Sequence, residues 1–161
     1  MEFRKKGFTI LEILVVLAVL AILIGIAVPR IKGMQEQANI TKAKSELKTI
    51  QTAIESYYIN KGSYPVSSMA ITTDISKEKS IPQILSGVLV DPFSDKSADY
   101  AYQRSNSGEY YVIVSLGTFG MTWADLLLNG FAITDQGSLS AKAITFVEQG
   151  VICVTNGTGC D

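Results

Sequence analysis

A single carboxylate, Glu12, interrupts an otherwise apolar or small run of 21 residues from Phe8 to Val28. An acid inside a bilayer costs about 2.5–3.5 kcal/mol on insertion scales, and such acids normally face a partner rather than lipid. The run contains no basic residue within helical reach of Glu12. Two interpretations therefore stay open: the carboxylate extends to the cytoplasmic headgroups, or a cation on a second chain neutralises it.

The two cysteines, Cys153 and Cys160, both lie within the last nine residues of the chain. In an oxidising compartment, a bond between them closes a small terminal ring, which the chain-entropy model credits with about 2.5 kcal/mol. Because the apolar run argues for export, we expect this disulfide. Two free thiols are the alternative for a chain that stays in the cytosol.

Three aspartates, Asp91, Asp95 and Asp99, recur at intervals of four residues and suggest a calcium site. The spacing fits no EF-hand loop, because the alternating ligands, the central glycine and the closing glutamate are missing. A solvated turn is the favoured interpretation. We expect no cofactor, with calcium as the alternative.

Enzymatic chemistry is not expected from the remaining residues. The sequence has no histidine, which removes the commonest general base and the commonest metal ligand. It also contains no nucleophile–base pair, phosphate-cradling glycine loop or metal-ligand cluster. We therefore expect a structural protein rather than an enzyme.

The first element that positions these residues is the apolar run itself. At the helical rise, its 21 residues span roughly 31 Å, which matches the hydrocarbon thickness of a bilayer. Arg4, Lys5 and Lys6 precede the run, so we expect a cytoplasmic N-terminus, with the chain after Arg30 on the outer side. The run is longer than the apolar region of a secretory signal peptide, which is also usually free of charge.

The stretch KKGFTILEILVVLAVLAILIGIAVP resembles the N-terminal signature of type IV pilins and of the pseudopilins of type II secretion. That signature is a short basic leader ending in glycine, then phenylalanine, then glutamate at the fifth position of the mature chain. The matching residues here are Gly7, Phe8, Thr9 and Glu12, with Pro29 at a proline position common in the family. The resemblance extends from Lys5 to Pro65.

The resemblance implies a defined maturation. Prepilin peptidase cuts after Gly7, which removes a leader of residues 1–7, and the same enzyme N-methylates Phe8. The trimmed chain, held in the lipid bilayer before assembly, is then packed with copies of itself into a helical filament by an inner-membrane assembly platform. The cut creates an amine on Phe8, about one helical turn from Glu12. In a stack of staggered subunits, the Glu12 of one subunit then neutralises the Phe8 amine of its neighbour.

The transmembrane and assembly helix, residues 8–29, is predicted to continue into an amphipathic half over residues 30–60. The apolar positions of this second half recur every three or four residues; they are Ala43, Leu47, Ile50, Ile54 and Tyr57. Lys61-Gly62 is predicted to end the helix.

Pro29 is predicted to disturb this helix. It cannot donate to the carbonyl of Gly25, and its ring crowds that turn, so the helix should bend or loosen between the two positions. The family resemblance implies more: this part of the helix loses its regular hydrogen bonding in assembled filaments.

Residues 30–161 are predicted to form one globular pilin domain, with an αβ loop over 61–98 and a β-sheet region over 99–161. Strands are predicted over 99–104, 109–116, 131–134, 143–148 and 151–155, and a short helix over 123–129 capped by Thr122. We predict an exposed connection over 66–80 and a helical turn within 81–89. The expected fold class is α+β: a long N-terminal helix packed on a small antiparallel sheet, as in pilins.

The charge balance argues against a nucleic-acid partner. Of 14 basic and 15 acidic residues, loss of the leader removes Glu2, Arg4, Lys5 and Lys6, which leaves 11 and 14. The mature side chains then carry a balance of −3 on 154 residues. A mildly acidic filament surface gives no reason to expect nucleic-acid binding.

The favoured function is a structural subunit of a type IV pilus or a pilus-like filament, placed in a bacterial or archaeal cytoplasmic membrane and then in an extracellular or periplasmic filament. A pseudopilin of type II secretion is the alternative within this class, because the segments 91–93 (DPF) and 115–117 (SLG) resemble the major pseudopilin. Phe119 stands where that protein's calcium loop has an acid. From another class, the alternative is an uncleaved single-pass membrane-anchored binding or sensor domain.

Overall fold

The computed structural model describes residues 7–68, 70–77, 85–94, 98–117 and 122–160. The chain divides into two compact units, residues 1–38 and residues 39–161. The described part of the first unit contains the first part of one long helix. The second unit contains the rest of that helix, the sheet and the remaining helices.

Helix α1 runs from Ile10 to Lys61, a length of 52 residues. It ends where the sequence predicts, because Gly62 adopts a positive φ of 73° and donates its N–H to the carbonyl of Tyr58 at 2.8 Å. A residue without a Cβ takes this left-handed conformation at little cost, so glycine is the usual helix terminator.

The second unit contains a three-stranded antiparallel sheet in the order β1-β2-β3. Strand β1 (Ala101–Arg104) pairs with β2 (Tyr111–Ser115), which pairs with β3 (Ile152–Thr155). The predicted strands over 99–104, 109–116 and 151–155 are thereby confirmed, each slightly shorter than predicted. A long helix and a small antiparallel sheet give the predicted α+β pilin-like class.

Both faces of this sheet are covered, which explains why every residue of β2 is buried. One face contacts the second half of α1, through a cluster that includes Leu47, Ile50 and Ile54. The other face packs against a second cluster that includes Leu126 and Ala143. The predicted apolar face of α1 is confirmed, since Ala43, Leu47, Ile50 and Ile54 are fully buried.

Helix α2 (Ile71–Lys77) lies where the sequence predicted an exposed connection over 66–80, so that prediction is wrong for this stretch. Ile71 and Ile75 are buried in the cluster that contacts α1. The first turn is capped from a distance: the carboxylate of Asp99 accepts hydrogen bonds from the backbone N–H groups of Thr72 and Thr73. Of the helical turn predicted within 81–89, residues 81–84 lie outside the described residues and 85–89 are not helical.

Helix α3 (Trp123–Leu128) confirms the short helix predicted after Thr122. The hydroxyl of Thr122 accepts a hydrogen bond from the N–H of Asp125 and donates one to its carboxylate, a reciprocal N-terminal cap. Gly130, with φ of 86°, follows the helix as predicted.

Helix α4 (Ala141–Glu148) replaces the strand predicted over 143–148, which is wrong. Ser140 caps the helix by accepting from the N–H of Ala143 at 3.2 Å, and Ala143, Phe146 and Val147 share the face that packs on the sheet. The β-branched residues of this segment suggested a strand, but the cap and the buried helical face decide for a helix.

The strand predicted over 131–134 is also wrong, because this segment makes only an isolated bridge between Ile133 and Leu139. Its neighbouring backbone groups are used elsewhere. The N–H of Phe131 bonds to Leu126 at the end of α3, and the carbonyl of Ala132 accepts from Ser140 at the start of α4.

Candidate assembly surface

The N-terminal residues form a helix cap that includes the acid of the apolar run. Helix α1 begins at Ile10, and the hydroxyl of Thr9 accepts a hydrogen bond from the N–H of Glu12 at 3.2 Å. A threonine followed three residues later by a glutamate is the capping-box pattern. The pattern is readable from TILE alone, although the cap is not among the features predicted above. Glu12 therefore lies in the first turn, near the positive end of the helix dipole.

Beyond this cap, the side chains of α1 over residues 10–27 are all exposed. The large ones are aliphatic, and their exposed fractions reach 88% at Ile10. We call this set, together with Phe8, the assembly surface. Among the described residues, α1 is long and apolar enough to cross a membrane on length and composition alone. Its most apolar 18-residue window has a mean hydropathy of 3.1, and none of that window is buried.

The residues of the predicted charge pair lie at the start of this surface. Phe8 is 78% exposed, and no cation of the described residues lies within salt-bridge distance of Glu12. Within the described chain, the hydrogen bonds at this site are the Glu12 N–H bond to the Thr9 hydroxyl and the backbone bonds of the helix start, including Ile13 N–H to the carbonyl of Thr9 at 3.3 Å. Among the described residues, the Glu12 carboxylate has no hydrogen-bond or salt-bridge partner.

Gly25 and Pro29 both lie within the helical range of α1. A Cβ added at Gly25 would meet nothing within 4 Å, so packing within the described chain gives no reason for a glycine at this position. The helical range of α1 runs through both positions. The bend or loosening expected from Pro29 stays a prediction, and so does the loss of regular hydrogen bonding in assembled filaments.

Two further acids of α1 lie in the second unit and have partners within it. The hydroxyl of Tyr100 donates to the carboxylate of Glu46 at 2.6 Å. The hydroxyls of Tyr111 and Tyr64 donate to the two carboxylate oxygens of Glu55, at 2.6 and 3.1 Å. Hydrogen bonds to a charged acceptor are roughly twice as strong as neutral ones, so these contacts fix α1 on the sheet.

Burial and these carboxylates also change the ionisation of the tyrosines. Burial raises the pKa of Tyr100 and of Tyr111, and the hydrogen bonds to Glu46 and Glu55 raise them further. The pKa of Tyr102 is raised by burial, partly opposed by the charge of Arg104. Each tyrosine is therefore held neutral in the folded protein well above the pH at which a free phenol ionises.

Two of the three aspartates considered for calcium are satisfied by protein donors. The buried carboxylate of Asp91 accepts from the hydroxyl of Ser115 and the N–H of Leu116, each at 2.8 Å. Asp99 caps α2, as described above, and Asp95 lies outside the described residues. The described residues hold no group of three metal-binding side chains. These bonds give Asp91 and Asp99 structural roles.

The predicted disulfide between Cys153 and Cys160 is present. It closes a terminal ring, residues 153–160, that begins in β3. The ring lies on the turn at residues 134–138, because the N–H of Thr158 donates to the carbonyl of Gly137 at 2.7 Å.

Two family models match the chain, one at its N-terminal helix and one beyond it. The family model described as the prokaryotic N-terminal methylation motif matches residues 3–28. The family model described as type II secretion system, protein G, matches residues 30–124. The first match covers the assembly surface, and the second runs from the end of the first unit to the start of α3.

Curated relatives carry the same name as the second family. The chain is 29% identical over 136 residues to the type II secretion system core protein G of Aeromonas hydrophila. This alignment covers 83% of the chain and 90% of that protein. It is 29% identical over 125 residues to the corresponding protein of Pseudomonas aeruginosa, which covers 73% and 86%. A 31% identical match to the Dickeya chrysanthemi protein covers 52% and 54%. No solved structure is significantly similar to the chain.

Proposed function

The chain belongs to the type II secretion system protein G family, and we propose that it is a pseudopilin, a subunit packed with its copies into a filament of such a system. The family is structural and not enzymatic. The names of the relatives favour the secretion alternative over a type IV pilus subunit. Both classes share the same N-terminal signature. The long C-terminal region with its cysteine ring favoured the pilus, and Phe119, where the calcium loop has an acid, weakened the secretion alternative, to which the segments 91–93 and 115–117 pointed.

The observation that carries the proposal is the assembly surface. An exposed aliphatic face about 20 residues long is stable only in lipid or against other apolar helices. Before assembly, the subunit therefore lies in the cytoplasmic membrane with its N-terminus in the cytoplasm. When it enters a periplasmic filament, its apolar helix contacts identical helices instead of lipid.

The charges at the start of this surface set the register of assembly. Prepilin peptidase cuts between Gly7 and Phe8 and methylates the new amine, and the assembly platform adds the trimmed subunit. The amine of Phe8 then pairs with Glu12 of a neighbouring copy. Leaving either charge unpaired among apolar helices costs several kcal/mol, which favours one stagger over the others.

Intact mass of the chain extracted from cells that carry the secretion system tests this proposal. We expect the loss of residues 1–7 and the gain of one methyl group. A chain that retains Met1 would contradict the proposal and support an uncleaved, membrane-anchored binding or sensor domain.

A matched variant shows whether the cut depends on the glycine. A Cβ at Gly7 would meet nothing within 4 Å, so Gly7→Leu leaves the described structure undisturbed. We expect this variant to insert into the membrane and to keep its leader. Processing of Gly7→Leu at the normal rate would contradict the assigned cut site.

A further inference from the structure

The terminal ring contains a chemically reactive dipeptide, Asn156-Gly157. In such a pair, the backbone nitrogen of the glycine can attack the side-chain carbonyl carbon of the asparagine, and glycine favours this step because it has no side chain to hinder the approach. Water in the solvent is the only other reactant that the conversion needs. The reaction, deamidation, therefore depends on how firmly the fold holds the two groups.

The side chain of Asn156 is held by three residues of the second unit. Its amide oxygen accepts from the N–H of Tyr111 at 2.8 Å. Its amide nitrogen donates to the carbonyl of Glu109 at 3.0 Å and to the hydroxyl of Tyr64 at 3.4 Å. Both polar atoms of the amide are thus used, and the ring is tied to β2 and to the chain that follows α1.

The attacking nitrogen is held as well. The N–H of Gly157 donates to the hydroxyl of Thr155 at 2.9 Å. The backbone of Gly157 also lies so close to the neighbouring turn that an added Cβ would stand 1.9 Å from the carbonyl oxygen of Gly137. The glycine cannot move toward the Asn156 side chain unless these contacts open.

We propose that Asn156 is a deamidation site. The contacts of the closed ring keep it inert, and it becomes reactive when the ring opens and these contacts break. On opening, the nitrogen of Gly157 bonds to the side-chain carbonyl carbon of Asn156. The bond from that carbon to the amide nitrogen breaks, and ammonia leaves with the proton of Gly157. Water then opens the cyclic imide at either carbonyl, which gives aspartate or isoaspartate.

The product does not restore the closed ring. An ionised carboxylate only accepts hydrogen bonds, so the two donations to Glu109 and Tyr64 are lost and a negative charge faces the Glu109 carbonyl. Isoaspartate also adds a backbone atom next to the close contact between Gly157 and Gly137. Opening of the ring can therefore lead to an irreversible covalent change at Asn156.

Peptide mapping by mass spectrometry of the full chain in detergent micelles tests the proposal. Samples are kept in mildly alkaline buffer in three states: oxidised, reduced by a phosphine, and denatured and reduced. We expect Asn156 to convert at least about tenfold more slowly in the oxidised sample than in the reduced one. While the disulfide is intact, opening of the ring is energetically unfavourable, and only the open form reacts. Conversion in the oxidised chain at the denatured rate, or a reduced rate equal to the oxidised one, would overturn it.

Two threonine variants test the hold on the attacking nitrogen. Thr155→Val removes the acceptor of the Gly157 N–H, together with the donation of the same hydroxyl to the carbonyl of Tyr111. Thr145→Val removes a hydroxyl on the exposed face of α4 that bonds to the carbonyl of Ala141. With the disulfide intact in both, Thr155→Val is expected to convert several-fold faster than the native chain and Thr145→Val at the native rate. Equal rates in the two variants would overturn the role given to Thr155.

Discussion

The two halves of α1 differ in where their carboxylates find partners. In the second half, Glu46 and Glu55 accept hydrogen bonds from buried tyrosines of the same chain. In the first half, the described residues bond to Glu12 through its backbone and not through its carboxylate, and the aliphatic side chains around it are exposed. A carboxylate in apolar surroundings needs a partner. The comparison indicates that the second half is complete within one chain, whereas the first half is completed by other molecules.

The positions of Glu46 and Glu55 add to this contrast. They are nine residues apart, about two and a half helical turns, and so project from opposite sides of α1. The buried stripe through Leu47 and Ile50 runs between them. The tyrosine contacts on both sides, one to Glu46 and two to Glu55, fix the rotation of the helix on the sheet. No such pair of contacts exists among the described residues of the first half.

The largest expected effect separates the two halves by burial. Leu47→Ala should lower the free energy of unfolding of the second unit by about 3–5 kcal/mol, because it leaves a cavity in a fully buried site. Leu14→Ala, at a position 64% exposed, should leave that free energy unchanged. Urea unfolding followed by far-ultraviolet circular dichroism measures both. Equal losses in the two variants would show that burial does not distinguish the halves.

Alkaline pH should destabilise the second unit through its tyrosines. Below the usual tyrosine pKa of 10.0, both states are protonated and stability is complete. Above it, the unfolded chain ionises while Tyr100, Tyr102 and Tyr111 stay neutral, since their folded pKa values are raised. Stability should then fall by about 1.4 kcal/mol per pH unit for each tyrosine.

Urea midpoints measured at steps from neutral pH to pH 11 check this slope, with phenolate absorbance as the direct readout of ionisation. A folded protein whose tyrosines all ionise with the pKa of free tyrosine would contradict it.

A smaller effect is expected from the acid that binds two tyrosines. Glu55→Gln keeps the shape of the side chain but removes its charge, so the hydrogen bonds from Tyr64 and Tyr111 become neutral ones. We expect a loss of about 1.5 kcal/mol in the free energy of unfolding. Glu36→Gln, at an exposed position of the first unit, serves as the control and should have no effect in the same denaturation experiment. Indistinguishable variants would remove the role assigned to Glu55.

The smallest effect concerns the cap of α1. Thr9→Val removes the acceptor of the Glu12 N–H and should destabilise the first helical turn by about 1 kcal/mol. Amide hydrogen exchange at Glu12 should therefore accelerate by about fivefold. Thr49→Val, which removes a hydroxyl bonded to the carbonyl of Ser45 within the helix, should not change that rate. An unaltered exchange rate in Thr9→Val would argue against the cap.

The sequence predicts best the features that depend on neighbouring residues. The apolar stripe of α1, the stop at Gly62, the hairpin between β1 and β2 and the Thr122 cap follow from local patterns and are confirmed. The cap at Thr9 was equally local and was missed only because Glu12 was considered as a buried charge.

The features that the sequence could not predict depend on distant contacts. Helix α2 is capped by Asp99, 27 residues away from Thr72, so the residues of the helix itself do not predict this cap. Tyr100, the partner of Glu46, and Tyr111, one of the two partners of Glu55, each lie more than fifty positions away. By periodicity alone these two acids belong to the polar faces of the helix, and only the approach of the sheet gives them partners.

Filament yield in a Glu12→Gln variant tests most directly the claim that the first half of α1 is completed by other copies. Glutamine is also accepted at this position of a capping box, so the variant removes the charge while keeping the helix start, and Glu36→Gln is the matched control. We expect Glu12→Gln to insert and to be cut normally, but to yield about tenfold fewer filaments or less by electron microscopy, because the Phe8 amine is left unpaired. A yield equal to that of Glu36→Gln would contradict the account.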